Sequence, residues 1–321
     1  MNDFGFPAAV SEAFGLVNFY KEKSYYICET GDGTRYKVVR SHLGAGEILR
    51  EHEVKEYLRR AGFAWVDNFL LTADGKPYIS LGRDFFVAAA HDKAREVRFE
   101  CGEDIKLAAK TLANMHNAAQ SGEFDFAQLP YSTPLPEVFA KDSLELHGYA
   151  KQIRKKSGGL SEFEMLFIRH VDYYVEQINS AVESLERGNY ATAARSICHN
   201  ALKEETLHIS QSGECCITDF SLASWDVALV DLAVIIRRHA ARGGEDAVAA
   251  GVLVDSYSAV LPLGCDALNL LRGLLIYPAQ FVKLAKQYFI KKRAFTPGNM
   301  ISRLEQEIEN KTRYEEYVKN M

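Results

Sequence analysis

No apolar run in this chain approaches the roughly 20 residues needed to span a bilayer. Its opening, MNDFGFPAAVSEAFG, has no basic stretch followed by an apolar core. Synthesis in the cytoplasm, without membrane insertion, is the expectation. Charge excess is missing too: 38 Lys plus Arg stand against 43 Asp plus Glu, a net charge of -5. A surface that binds nucleic acid by neutralising phosphates needs a basic excess, so no nucleic-acid partner is expected. The six cysteines (Cys28, Cys101, Cys198, Cys215, Cys216 and Cys265) show no CxxC spacing. The adjacent pair at 215 and 216 sits in a strand-like run, where neighbouring side chains face opposite ways and make a poor metal clamp. All six read as small buried hydrophobes. Glycine is absent from FYKEKSYY, between the first two strand-like runs, so no Gly-rich loop there can bring backbone close to phosphates.

What is present is enough for a large core: 321 residues, 47% of them hydrophobic. From Leu16 to Val39 the runs LVNFYKEK, SYYICET and TRYKVV read as strands, with GDG at 31 to 33 as a hairpin turn. GEILREHEVKEYLRRAG then places Ile48, Leu49, Val54, Tyr57 and Leu58 at helical spacing, with Gly62 as its stop. VDNFLLT, PYISL and DFFVAAA return to strand character. The expectation is a five- or six-stranded antiparallel lobe with one helix over residues 1–90, and a connection near 87 to 92.

Residues 91–321 are read as a mainly helical lobe. Ile105, Ala108, Leu112 and Met115 make one helical stripe, and a longer one runs from Phe163 through Val171 and Ile178 to Leu185. Residues 121 to 158, with Pro130, Pro134 and Pro136 and the basic KQIRKKSGG, read as a long surface connection. TLHISQSGECCITDF reads as a strand pair around a QSGE turn within the helical half, and SRLEQEIENKTRYEEYVKN as a charged, mostly solvated final helix.

A strand-rich lobe followed by a helical lobe holding a buried hairpin resembles the protein-kinase-like fold. Phosphoryl transfer there needs a Lys on the third strand, a helix Glu to hold it, an Asp near the attacking hydroxyl, and an Asn and a second Asp on Mg²⁺. Lys37, in RYKVV, is the Lys inside the third strand-like run, and a surface strand Lys is the competing reading. Glu51 on the next helix could reach it, with Glu53 as the competing choice, although carboxylates on a helix are usually a solvated face. ICHNALKEETLHISQSGECCITDF has the length and pattern of H-x-D-x-x-x-x-N, strand, turn, strand, D-F. His199 falls on the motif His and Asp219 on the metal Asp. Asp231, in VDLAVIIRR, falls on the Asp that opens the following helix and can brace the loop.

Residues 10 to 320 resemble the bacterial spore-coat CotS family, which is related to aminoglycoside and choline kinases. CHNA, DFS, DLAVIIRR, LLIYPAQFVKLAKQYFIKKRAF and EYLRRAGF stand here where that family has its corresponding segments. The resemblance implies an α+β, two-lobed fold of the aminoglycoside phosphotransferase type, other coat proteins as partners, and a final location in the spore coat. For Lys37, Glu51 and Asp219 it implies one of two things: residual binding of ATP with Mg²⁺, with Asp219 on the metal, or remnants kept for packing.

The departures decide the expected activity. Ala201 stands at the catalytic Asp position, Thr206 at the metal Asn position, and Ser221 where the family has a second acid. Asn200 is an amide and cannot act as a general base. Glu204 and Glu205 are the nearest acids in sequence, and would have to fold back over the loop to substitute. The expectation is a degenerate kinase-like protein that acts by binding. The alternatives are an active small-molecule phosphotransferase with an altered site and a nucleotide-binding regulator. His116 reads as a structural residue, and Arg237, Arg238 and Arg242 as a solvated helix end.

Overall fold

The computed structural model describes residues 5–22, 24–91, 94–120, 124–125, 127, 129–130, 133–243, 250–291 and 298–319. Packing divides the chain into two compact units. One comprises residues 1–131 and 196–225, the other residues 132–195 and 226–321. The expected division at residue 90 marked the change from sheet to helix; the packing units follow a different partition, in which the segment carrying the catalytic-loop motif joins the sheet.

The first unit opens with α1 (Gly5–Phe14), followed by β1 (Val17–Lys21), β2 (Tyr25–Glu29), β3 (Arg35–Ser41), α2 (Ala45–Arg60), β4 (Ile79–Leu81) and β5 (Asp84–Ala90). The five strands form one antiparallel sheet in the order β1-β2-β3-β5-β4. Strand alternation sets its two faces. Cys28, Val38, Phe86 and Ala88 share one face and form a core with Val10, Phe14 and Leu16. Lys37, paired with Ile27 and Ala89, belongs to the opposite face. The GDG hairpin closes with Gly33 at φ +85, a backbone region that favours glycine, while Asp32 Oδ1 accepts from the Thr34 N–H at 3.1 Å.

The same unit holds β6 (Arg95–Glu96), α3 (Gly102–Gln120), β8 (Leu207–Ile209) and β9 (Cys215–Ile217). β6, β8 and β9 make a three-stranded sheet, in which Leu207 pairs with Ile217 and Ile209 with Cys215. Cys215 is buried and its neighbour Cys216 half-buried, as alternation requires, and both are free thiols. β7 (Arg195–Cys198) pairs with β10 (Ser224–Val227). The α3 stripe of Ile105, Ala108, Leu112 and Met115 is fully buried.

In the second unit, α4 (Leu135–Arg154), α5 (Glu162–Arg187), α6 (Leu229–Arg242), α7 (Ala250–Ser258), α8 (Cys265–Ile276), α9 (Ala279–Lys291) and α10 (Gly298–Lys319) follow in order. α5 begins at a capping box, in which Ser161 Oγ accepts from the Glu164 N–H and Glu164 accepts from the Ser161 N–H. It packs against α4 and α8. Gly273 makes the α8 contact possible, since a Cβ there would lie 2.8 Å from the Ala181 carbonyl oxygen. Among the described residues, no helix is long and apolar enough to cross a membrane.

Four local expectations are corrected. Much of 121 to 158 is helix, because Pro136 sits in the first turn of α4, where a missing N–H costs nothing, and Lys151 and Arg154 occupy its last turn. VDNFLLT forms isolated bridges at Val66 and Phe69 rather than a strand. It shares an edge of β5 with β4, bonding at Leu70 N to Ala88 O and at Ala90 N to Asn68 O. The helix α1 is a second helix where one was expected, and its Val10 and Phe14 pack on the sheet face formed by Cys28, Val38, Phe86 and Ala88. The expected connection at 87 to 92 is strand as far as Ala90, and residues 92 and 93 lie outside the described residues.

Asp104, buried in the first turn of α3, joins that helix to β6. Arg95 reaches it with two nitrogens at 2.6 and 2.8 Å, and Arg98 adds its backbone N–H at 3.1 Å and its Nε at 3.2 Å. Burial alone would push this carboxyl up, but the four donors hold it well below the usual carboxylate range. A depressed folded-state pKa contributes stability above the unfolded value, near 3.9, and loses it as pH falls through the folded one. Asp104→Ala should therefore lower the unfolding free energy by about 2–3 kcal/mol at neutral pH, with the gap from wild type closing below about pH 4. Urea unfolding across pH checks this; equal stability at neutral pH would contradict it.

Candidate catalytic site

β7 delivers its last residue, Cys198, to the start of the loop that carries the motif His. His199 is fully buried, with Nε2 on the Thr218 carbonyl at 2.8 Å and Nδ1 on the Ala201 N–H at 3.2 Å. A carbonyl can only accept and an amide N–H only donate, so the ring is neutral with its proton on Nε2. Asn200 follows at φ 63, a left-handed conformation that Asn tolerates better than most residues. Its Nδ2 donates toward Cys198 O, Leu222 O at 2.9 Å and Ser224 Oγ at 2.8 Å, stitching the loop to the segment after Asp219.

The two positions that would carry chemistry are closed to it. Ala201 presents a methyl group. Thr206 is buried; its hydroxyl accepts from the Lys203 N–H at 3.0 Å and lies 3.2 Å from the Ala201 carbonyl and 3.1 Å from that of Lys203. That hydroxyl is spent on closing its own turn. Asp219, also left-handed at φ 64 and half-buried, accepts from Ser221 Oγ at 2.6 Å. Phe220 is buried edge-on against His199, with ring centroids 4.9 Å apart. The loop thus follows the layout of the motif, with a methyl group at the position where the motif has its carboxylate.

Glu51 has a partner that the sequence pattern did not suggest. Its carboxylate sits 2.7 Å from Lys55 Nζ, one helical turn along α2, and Oε1 also accepts from the Phe220 N–H at 3.1 Å. Lys55 is 1% exposed and makes a second ion pair with Asp67 at 2.9 Å, while its ammonium lies 3.9 Å from the centre of the Phe69 ring. Burial would push the Lys55 ammonium down, but Asp67 and Glu51 together hold it above the ordinary lysine value. Burial pushes the Glu51 carboxyl up against the pull of Lys55, and the Asp67 and Asp219 charges add to the push. Asp67 Oδ1 is buried with no partner among the described residues. The cluster therefore holds two carboxylates on one ammonium.

Lys37 is elsewhere engaged. Its Nζ lies 4.4 Å from the centre of the Tyr25 ring, a cation–π contact across neighbouring strands, and it makes no ion pair among the described residues. His116 is fully buried in α3. Glu204 is half-buried and Glu205 exposed, in a short turn before β8. Asp231 is fully buried in the first turn of α6, in the second unit. Arg237 is not a solvated helix end: its Nη2 donates to the carbonyls of Leu274, Leu275 and Tyr277, capping the end of α8.

These residues do not fit a two-metal phosphoryl-transfer centre. Such a centre needs a carboxylate and an amide carbonyl on the ions and a base on the acceptor. Of that set only the Asp219 carboxylate is present.

The family described as "Spore coat putative kinase YutH" matches residues 10–321, and the chain belongs to it. It is thus a kinase-like spore coat protein, with the fold of the aminoglycoside phosphotransferases. An aminoglycoside phosphotransferase from Alicyclobacillus acidocaldarius is similar at 17% identity and TM-score 0.82, over 98% of this chain and 94% of that one. An amicoumacin kinase, solved in complex with AMP-PNP, Ca²⁺ and Ami, aligns at 12% identity and TM-score 0.63, over 98% and 94%. Choline kinase LicA from Streptococcus pneumoniae aligns at 12% and TM-score 0.53, over 98% and 99%. Likeness at these identities establishes the fold alone. No curated protein matches the chain.

The ranking of the two lysines can be tested by stability. Lys55→Ala leaves Glu51 buried without its cation and should cost about 3–5 kcal/mol in urea unfolding. Lys37→Ala, at a half-buried strand position, should cost about 1 kcal/mol or less. The reverse order would contradict this assignment.

Proposed function

We propose that this chain is a pseudokinase: a kinase-fold component of the spore coat that acts by binding other coat proteins and transfers no phosphoryl group. The observation that carries the reading is the fate of the Thr206 hydroxyl and the Ala201 methyl, one consumed in closing the loop and the other inert. A general base has to lie within hydrogen-bond reach of the acceptor hydroxyl, and its positioned proton transfer is worth roughly 10²–10⁴-fold in rate. Glu51 adds support, since the helix carboxylate that would hold a strand lysine on the phosphates is committed to Lys55 and the Phe220 N–H. Membership of a spore coat family supports the location, and coat proteins as partners follow from that location.

Residual nucleotide affinity rests, on this reading, on Lys37 and on one Mg²⁺ held by Asp219. The protein should show ATP consumption no faster than buffer when incubated with Mg²⁺ and a panel of sugars, amino alcohols and aminoglycosides. Steady turnover that disappears in Asp219→Ala would overturn the pseudokinase reading in favour of an active small-molecule phosphotransferase. A thermal-shift titration with ATP and ADP, each with and without Mg²⁺, measures the nucleotide question separately, because a ligand of the native state raises its melting temperature.

A further inference from the structure

The second unit contains a cavity of about 430 Å³ bordered by α5, α6, the turn between α8 and α9, and α10. That volume falls in the range of small-molecule sites, and its wall combines aromatic surface with a few convergent polar groups, as such sites do. Tyr173, Tyr174 and Tyr277 supply the aromatic surface, and Arg237 and Glu307 face the same space.

Most polar groups around the cavity already have partners. The Tyr173 hydroxyl donates to Glu315, and the Tyr174 hydroxyl to the backbone carbonyl of Glu307. Lys311 lies over the Tyr173 ring at 4.7 Å. Two groups are left over among the described residues. The Nε of Arg237 is buried with no hydrogen-bond partner there, although Nη2 of the same guanidinium caps α8. The half-buried carboxylate of Glu307 makes no hydrogen bond or ion pair among the described residues, and burial pushes its pKa up against the pull of Arg237. A buried donor and a desolvated acceptor, both unused, are costly to leave unmade.

We propose that this cavity is a binding site for an uncharged, polyhydroxylated ligand of the saccharide class, with Glu307 accepting from its hydroxyls and Arg237 Nε donating to one of them. A hydroxyl is the group that can satisfy both, since it donates and accepts at once. An anionic ligand would bring charge against the unpaired Glu307. A cationic ligand would meet Arg237, Arg303 and Lys311, three cations that line the cavity. The tyrosine rings offer flat apolar area to the C–H face of a sugar ring, leaving its hydroxyls to the polar groups. The inference does not depend on whether the chain is a pseudokinase.

The test is saturation-transfer NMR on the full-length protein with glucose, N-acetylglucosamine and trehalose, beside choline and inorganic phosphate as charged probes. At least one saccharide should bind, with its affinity falling at least tenfold in Glu307→Leu and unchanged in Lys37→Ala. Melting of the unliganded Glu307→Gln variant checks folding and role together: with no partner to lose, it should melt no lower than wild type. The proposal is overturned by the absence of saccharide binding, by binding that Glu307→Leu leaves intact, by a preference for choline or phosphate, or by a Glu307→Gln variant that melts well below wild type. ATP turnover by the wild type would sink the pseudokinase reading and leave this result standing.

Discussion

One ammonium holds three pieces of chain together. Lys55 neutralises Glu51 on its own helix and Asp67 on the segment that follows it, and Glu51 passes the connection on to the Phe220 amide. Every one of these groups is fully or partly removed from water, so none can be deleted without leaving a charge or a donor exposed to low dielectric. The Phe220 ring stands edge-on to His199, and His199 in turn spans Thr218 and Ala201. The Phe220 end of the catalytic-loop frame is therefore tied to α2 through this ion cluster, alongside the bonds that Asn200 and Thr206 make within the loop.

That brace holds the loop in shape without calling on the Ala201 or Thr206 side chains, as the proposed pseudokinase reading requires. In a phosphotransferase the helix carboxylate is needed to hold a strand lysine on the nucleotide. Here the carboxylate is satisfied inside α2, and Lys37 is free to lie over Tyr25. Thr206 follows the same logic, its hydroxyl serving the turn that contains it, and Asn200 serves the backbone on either side. Thr206 and Asn200 thus each make hydrogen bonds that hold the loop in shape. This is the sense in which the fold of an aminoglycoside phosphotransferase persists in a spore coat protein.

Much of this was legible in the sequence where a periodic pattern ran long enough. The α5 stripe from Phe163 to Leu185 and the hairpin around QSGE appear as read, as do the strands on either side of GDG. The departures at Ala201 and Thr206 are visible in the sequence as well, against a motif whose His199 and Asp219 are present. Local signals failed where tertiary context set the outcome. Pro136 looks like a breaker in one dimension and is a helix starter in α4. Glu51 and Lys55 look like a solvated helical pair, and only the arrival of Asp67, Phe69 and Phe220 around them makes the pair buried. Nothing in the spacing of Arg237 revealed that it would cap α8, since the carbonyls it serves lie some 40 residues away in the chain.

The central claim is that Glu51 belongs to Lys55 and not to Lys37, whatever the nucleotide does. A crystal structure of the protein grown with saturating AMP-PNP and Mg²⁺ tests it most directly. The account predicts that Glu51 stays on Lys55 Nζ and on the Phe220 N–H, with Lys37 still outside ion-pair distance of it. A Glu51 carboxylate that leaves Lys55 and pairs with Lys37 over the nucleotide phosphates would contradict it.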